Sequence, residues 1–60
     1  MKRPFYYGVY FYTGDISIYG VCTYGYSRYE ALNRVLNDDE HREDIIKAIE
    51  KATRLEVCEL

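Results

Sequence analysis

The residues with the most chemical potential are one histidine and two cysteines. His41 lies inside Asp38-Asp39-Glu40-His41-Arg42-Glu43-Asp44, the most acidic stretch of the chain. A catalytic site needs a nucleophile, a base or a metal held in a pocket, and a single histidine among acids supplies too little. Acidic residues gather at helix starts because they complement the positive end of the helix dipole, so His41 reads as a solvated member of such a start. The acids also lack the Asp-x-Asp-x-Asp-Gly spacing of a calcium loop. Cys22 and Cys58 stand far apart in sequence, and with His41 they give too few ligands for zinc. Two cysteines are likewise fewer than a disulfide-stapled secreted miniprotein carries. Both read as reduced, buried, small apolar residues. The expectation is a protein that is not an enzyme, with no metal and no cofactor.

What remains is binding chemistry. Seven of the eight tyrosines fall between residues 5 and 26. A tyrosine offers a large apolar ring with few rotors and a polar tip, which suits protein contact surfaces. Aromatic strands also stack on bases in RNA-binding sheets, and Tyr7-Gly8-Val9-Tyr10-Phe11-Tyr12 has that flavour. Phosphate neutralisation supplies much of the affinity in such proteins, however. Here Arg28, Arg34, Arg42, Lys47, Lys51 and Arg54 lie on the helical part or at its end and alternate with acids. The acids Asp38, Asp39, Glu40, Glu43 and Asp44 form the second candidate surface, a negative patch able to steer a basic partner.

These side chains must be positioned by strands. Residues 5–13 and 16–24 are two aromatic and β-branched runs joined by Gly14-Asp15, a two-residue hairpin loop in which Gly14 adopts positive φ at no steric cost. Counting outward from Thr13 opposite Ile16 places Phe11 opposite Ile18, Val9 opposite Gly20, Tyr7 opposite Cys22 and Phe5 opposite Tyr24 on a core face. The other face then shows Tyr6, Tyr10, Tyr12 and Tyr19 to solvent, with Tyr10 opposite Tyr19. Ser27-Arg28-Tyr29-Glu30 is a capping box, so a helix spans residues 28–37 with Tyr29, Leu32, Val35 and Leu36 at apolar spacing. Ile45, Ile46, Ile49 and Ala52 define a second helical segment, 39–53. Leu36 and Ile45 are nine residues apart, about 900° on a straight helix, so a break near Asn37-Asp38 is needed to aim both faces at one sheet. A single long helix is the alternative. Residues 54–60 alternate as a third strand, Leu55 and Val57 on one side and Glu56, Cys58 and Leu60 on the other. The prediction is an α+β domain of ββααβ order, an antiparallel sheet in the order 2-1-3 with helices on one face.

Sixty residues make one domain, residues 1–60, and a chain this short buries a modest fraction of its surface. A homodimer or an obligate partner is therefore expected. The net charge of −2 gives no domain-wide field to attract nucleic acid. No apolar run reaches the roughly 20 residues that span a bilayer. Met1-Lys2-Arg3-Pro4, a short basic start, leads into tyrosines rather than an apolar signal core, so a cytoplasmic protein is expected.

The run Val21-Cys22-Thr23-Tyr24-Gly25-Tyr26-Ser27-Arg28-Tyr29-Glu30-Ala31-Leu32 resembles the strand–turn–helix segment of HicB-type antitoxins, where Gly precedes a capping Ser or Thr and Glu-Ala-Leu follows. It covers about a fifth of the chain, which lacks the family's additional strand before the helix. The order of a hairpin, a helical middle and a final strand is also similar to small bacteriophage inhibitors and antitoxins. The resemblance implies a non-catalytic protein that binds and blocks a host protein, while carrying over no functional residue. The leading expectation is such an inhibitor, using the tyrosine face and the acidic patch. Single-stranded nucleic-acid binding by the same face is the alternative.

Overall fold

The computed structural model describes residues 3–60; Lys2, part of the basic start, lies outside the described residues. Five elements follow in the order β1 (Phe5–Thr13), β2 (Ile16–Gly25), α1 (Arg28–Leu36), α2 (Arg42–Lys51) and β3 (Arg54–Glu59). The sheet is antiparallel in the order β2-β1-β3, so the first strand is its centre. Helix α1 packs across all three strands and α2 across β1 and β2, all on one face. The expected ββααβ domain is the observed one.

The hairpin turns at Gly14, whose φ of 61° is the only positive value among the described residues. Positive φ at the first loop position alone is the pattern of a type II′ turn, whose twist matches that of the flanking strands. The tip is tied down from the far end of the chain. Thr13 Oγ1 donates to Lys51 O at 2.8 Å, Gly14 N donates to Thr53 Oγ1 at 3.0 Å, and Thr53 N donates to Tyr12 O at 2.8 Å. These bonds fix where β3 begins beside β1.

The register departs from simple counting. Thr13 faces Ile16 and Tyr12 faces Ser17 as expected, but Phe11 then faces Tyr19, leaving Ile18 as the extra residue of a β-bulge. Beyond it every β2 side chain changes face. The pairs become Tyr10–Gly20, Val9–Val21, Gly8–Cys22, Tyr7–Thr23 and Tyr6–Tyr24. The reason is burial: without the bulge Val9 would face the gap at Gly20 while Val21 pointed to water. With it, Val21, Val9 and Val57 form one apolar row beneath the helices, and Tyr19 packs beside Phe11 with ring centroids 6.0 Å apart. Full burial of a valine side chain contributes about 1.5–3 kcal/mol, so even partial burial favours the bulge.

Among the described residues the helices are two, separated at residues 37–41. Ser27 Oγ accepts from Glu30 N at 3.1 Å, one half of the capping box. The Glu30 carboxylate pairs with Arg34 at 3.0 Å instead of turning back to Ser27. Helix α2 starts at Arg42 rather than Asp39, because Asp38 closes a turn of its own: its carboxylate accepts from Glu40 N at 2.9 Å and from His41 Nδ1 at 2.8 Å. The helices rest on Ala31 with Val35 and on Ile45 with Ala48. Gly25 admits the close approach of α1, since a Cβ there would stand 2.9 Å from Ala31 N. Tyr29, Leu36, Ile46 and Ile49, expected to face the sheet, are left exposed. Among the described residues the buried apolar ones number seven, centred on Val9, Phe11, Val35 and Ile45.

Candidate functional site: the open face of the sheet

Alternation along β1 sends Tyr7, Val9 and Phe11 under the helices and Tyr6, Gly8, Tyr10 and Tyr12 to the opposite face, which no element among the described residues covers. Across the three strands this open face reads in rows: Tyr24 and Tyr6; Cys22, Gly8 and Cys58; Gly20, Tyr10 and Glu56; Ser17, Tyr12 and Arg54. Of the expected tyrosines, Tyr6, Tyr10 and Tyr12 are brought together here. Tyr19 is not, because the bulge turns it to the helix side, and Tyr24 takes its place in the open surface. Cys22 and Cys58 were expected to be buried; the register places both on this face, exposed and unbridged.

The rings are not equivalent. A Cβ built on Gly8 would stand 2.5 Å from Tyr10 Oη, and one on Gly20 would stand 2.9 Å from Tyr10 Cδ1. Tyr10 therefore lies flat across two glycines and forms the floor, covering backbone that would otherwise be bare. Tyr6 and Tyr24 stand at one end with ring centroids 4.7 Å apart, and the Cys22 thiol beside Tyr6 holds its phenol above the usual value. At the other end the Arg54 guanidinium sits 4.5 Å above the Tyr12 ring, a cation–π contact, with Glu56 3.6 Å from Arg54. Partial burial and then the Glu56 carboxylate raise the Tyr12 phenol. The arrangement gives a flat aromatic floor, an aromatic pair and a neutralised charged corner.

The acidic residues lie on the other side of the sheet. Asp38, Asp39 and Glu40 occupy the connection between the helices, and Glu43 and Asp44 the first turn of α2. Asp38 is held below the usual carboxylate range, chiefly by its bond from His41, and Asp39 meets Arg42 at 3.6 Å. His41 is raised, first by that same bond and then by the nearby acids. Asp38, Glu40 and His41 bring three potential ligand atoms within 4.8 Å of one another, and the internal bonds of the Asp38 turn account for that grouping. The two halves of the expected site thus face opposite directions, so one flat partner surface cannot cover both. Tyr19 joins the acidic side, where burial and then Asp44 and Asp38 raise its phenol.

A second uncovered apolar region lies on the helix side, along β3. Phe11, Leu32, Leu36, Ile49 and Leu55 line a groove of about 300 Å³ between the helices and the third strand. The helix spacing had suggested that Leu36 and Ile49 belong to the core; they form the walls of this groove instead. Among the described residues, no helix is long and apolar enough to cross a membrane. No protein-family model, curated protein or solved structure matches the chain.

Proposed function

We infer that the protein is a non-catalytic binding module whose open sheet face docks another protein and blocks it, in the manner of small phage inhibitors and antitoxins. The observation that carries this reading is a sheet with one face left bare and furnished with Tyr6, Tyr10, Tyr12 and Tyr24. Exposed aromatic clusters of this kind mark interaction surfaces, because each ring removed from water by a partner contributes binding energy with little ordering cost. Tyr10, already fixed over its glycines, offers a rigid platform. Tyr6, Tyr12 and Tyr24 are the anchors around it. The acidic residues act at a distance, through the field a basic partner meets on approach.

One observation supports nucleic acid as the second reading: Arg54 on Tyr12 adds a cation to a stacking surface. Glu56 beside it removes most of that charge, which keeps the protein partner ahead. The test is capture from nuclease-treated lysate with wild type, Tyr12→Ala, Tyr24→Ala and, as a helix-side control, Ile46→Ala. A specific protein retained by wild type and Ile46→Ala, with affinity weakened by about 2 kcal/mol in the tyrosine variants, is the expected result. Retention that depends on nucleic acid favours the second reading, and loss confined to Ile46→Ala moves the site to the helices.

A further inference from the structure

The sheet ends in two edges of different character. On β2 the edge is broken by the bulge at Ile18, a common device against unwanted strand pairing. On β3 it is six residues long with no proline, glycine or bulge. Its ladder to β1 fixes which backbone groups are free. Leu60 N donates to Tyr6 O at 2.8 Å, and bonded residues alternate along an antiparallel pair. Glu56 and Cys58 therefore turn their main-chain groups to β1, while Leu55, Val57 and Glu59 turn theirs outward. Thr53 N donates to Tyr12 O, so the free edge begins at Leu55.

Beside this edge α1 carries an apolar stripe that the three strands leave uncovered. Ala31 and Val35 are buried in the core, whereas Tyr29 and Leu36 are exposed and Leu32 is half-buried between them. Spacings of three and four residues put these three on one side of the helix. Two hollows lie between the stripe and β3. One, of about 250 Å³, is bounded by Arg28, Tyr29, Leu32 and Val57. The other is the groove of about 300 Å³ where Leu32, Leu36 and Ile49 meet Leu55. Leu55 and Val57 are two residues apart, about 6.8 Å along a strand, and alternate side chains of a neighbouring strand recur at that same interval.

We propose that β3 accepts an extended segment of another protein as a fourth, antiparallel strand. The segment's residues opposite Leu55 and Val57 are apolar and fill the two hollows, and its residue opposite Glu59 is basic. Main-chain bonds to the three outward residues supply attachment, and the hollows supply selection, as in other cases of strand addition. Antiparallel pairing continues the pattern of the sheet and is the more stable per residue. Glu59 shares strand parity with Leu55 and Val57, and a cation directly opposite its carboxylate is a favourable cross-strand pair. A second copy's β3 does not meet this description. Overlapped along its full length about Val57, it would set its own Glu59 opposite Leu55, a carboxylate in the apolar groove. The added strand leaves the open face free and does not depend on what that face binds.

The probe is an acetylated and amidated hexapeptide, Lys-Thr-Val-Thr-Leu-Thr, which sets its Lys opposite Glu59, its Val opposite Val57 and its Leu opposite Leu55. Titrated into the protein and followed by NMR, it shifts the Leu55, Val57 and Glu59 amides and slows their exchange. Methylation of the peptide at its Val or Leu nitrogen removes a bond to the edge and weakens binding by about tenfold or more. Methylation at the Thr between them, whose N–H points away from β3, leaves affinity unchanged. Leu36→Lys, at a position 43% exposed where the fold tolerates change, puts charge in the groove and weakens the peptide by a similar factor. A probe that stays unbound at millimolar concentration overturns the proposal, as does equal tolerance of all three methylations. Shifts confined to Tyr6, Tyr10 and Tyr24 overturn it too. So does self-association of the protein alone that protects the Leu55 and Val57 amides, since the edge then belongs to a second copy.

Discussion

The two faces of β1 use the same kinds of residue to opposite ends. Tyr7 is 5% exposed and Phe11 2%, while Tyr6 on the other face is 40% exposed. Neighbours in sequence, they differ only in strand parity, and parity decides which ring holds the fold and which is displayed. Tyrosine serves both because its ring tolerates burial and its hydroxyl tolerates water. The contrast extends to how each face is closed. The helix side is filled by side chains from four other elements, whereas the open side is closed by one ring of its own strand, Tyr10, laid over Gly8 and Gly20.

The largest test of this contrast is a pair of adjacent truncations. Phe11→Ala should cost about 3–5 kcal/mol in denaturant melts. Tyr12→Ala, one residue on, should lose only its contact with Arg54, worth about 0.5–1 kcal/mol at an exposed site. Equal losses would erase the distinction between the faces. Tyr19→Ala should behave like the core variant and leave partner affinity unchanged, the reverse of what hairpin counting alone expects.

A middle-sized effect concerns the glycine floor. Gly20→Val drives a side chain into the Tyr10 ring and should destabilise by about 1–3 kcal/mol. In a Tyr10→Ala background the same substitution should cost much less, because the obstructing ring is gone. An unchanged cost in that background would place the clash under the helices and undo the bulge. A chemical probe sharpens the same point without altering stability: Cys22 and Cys58 should both react with a thiol reagent in the native protein, read by mass spectrometry. Protection of Cys22 would return it to the core.

The smallest effect belongs to the acidic side. His41 is raised by Asp38, so its contribution is fully present below its unfolded value of 6.5 and is lost as pH rises through its higher folded value. Asp38 is lowered, so its contribution is present above its unfolded value of 3.8 and is lost as pH falls through its lower folded value. The pair is therefore complete between those two unfolded values. NMR titration should find His41 above 6.5 in wild type and lower in Asp38→Asn; identical titrations would remove the bond from consideration.

The sequence by itself determined the strand and helix order, the Gly14 turn, the Ser27 cap and the parity of β1. Each is written in local chemistry: period-two alternation, a residue free to take positive φ, a hydroxyl three residues before a glutamate. It also carried the sheet order, because two helices must return the chain to the free side of β1. Only the tertiary structure decided the face of each β2 residue beyond Ser17. The turn fixes register for two pairs, and after that the burial of Val21 and Tyr19 competes with regular pairing and wins by inserting Ile18. That competition is non-local, since its reward comes from Val35, Ile45 and Val57 arriving from elsewhere in the chain. Helix contacts were hidden for a related reason: apolar spacing selects the largest residues, but close packing on a sheet selects Ala31 and Ala48, and Gly25 shows why only when the two backbones meet.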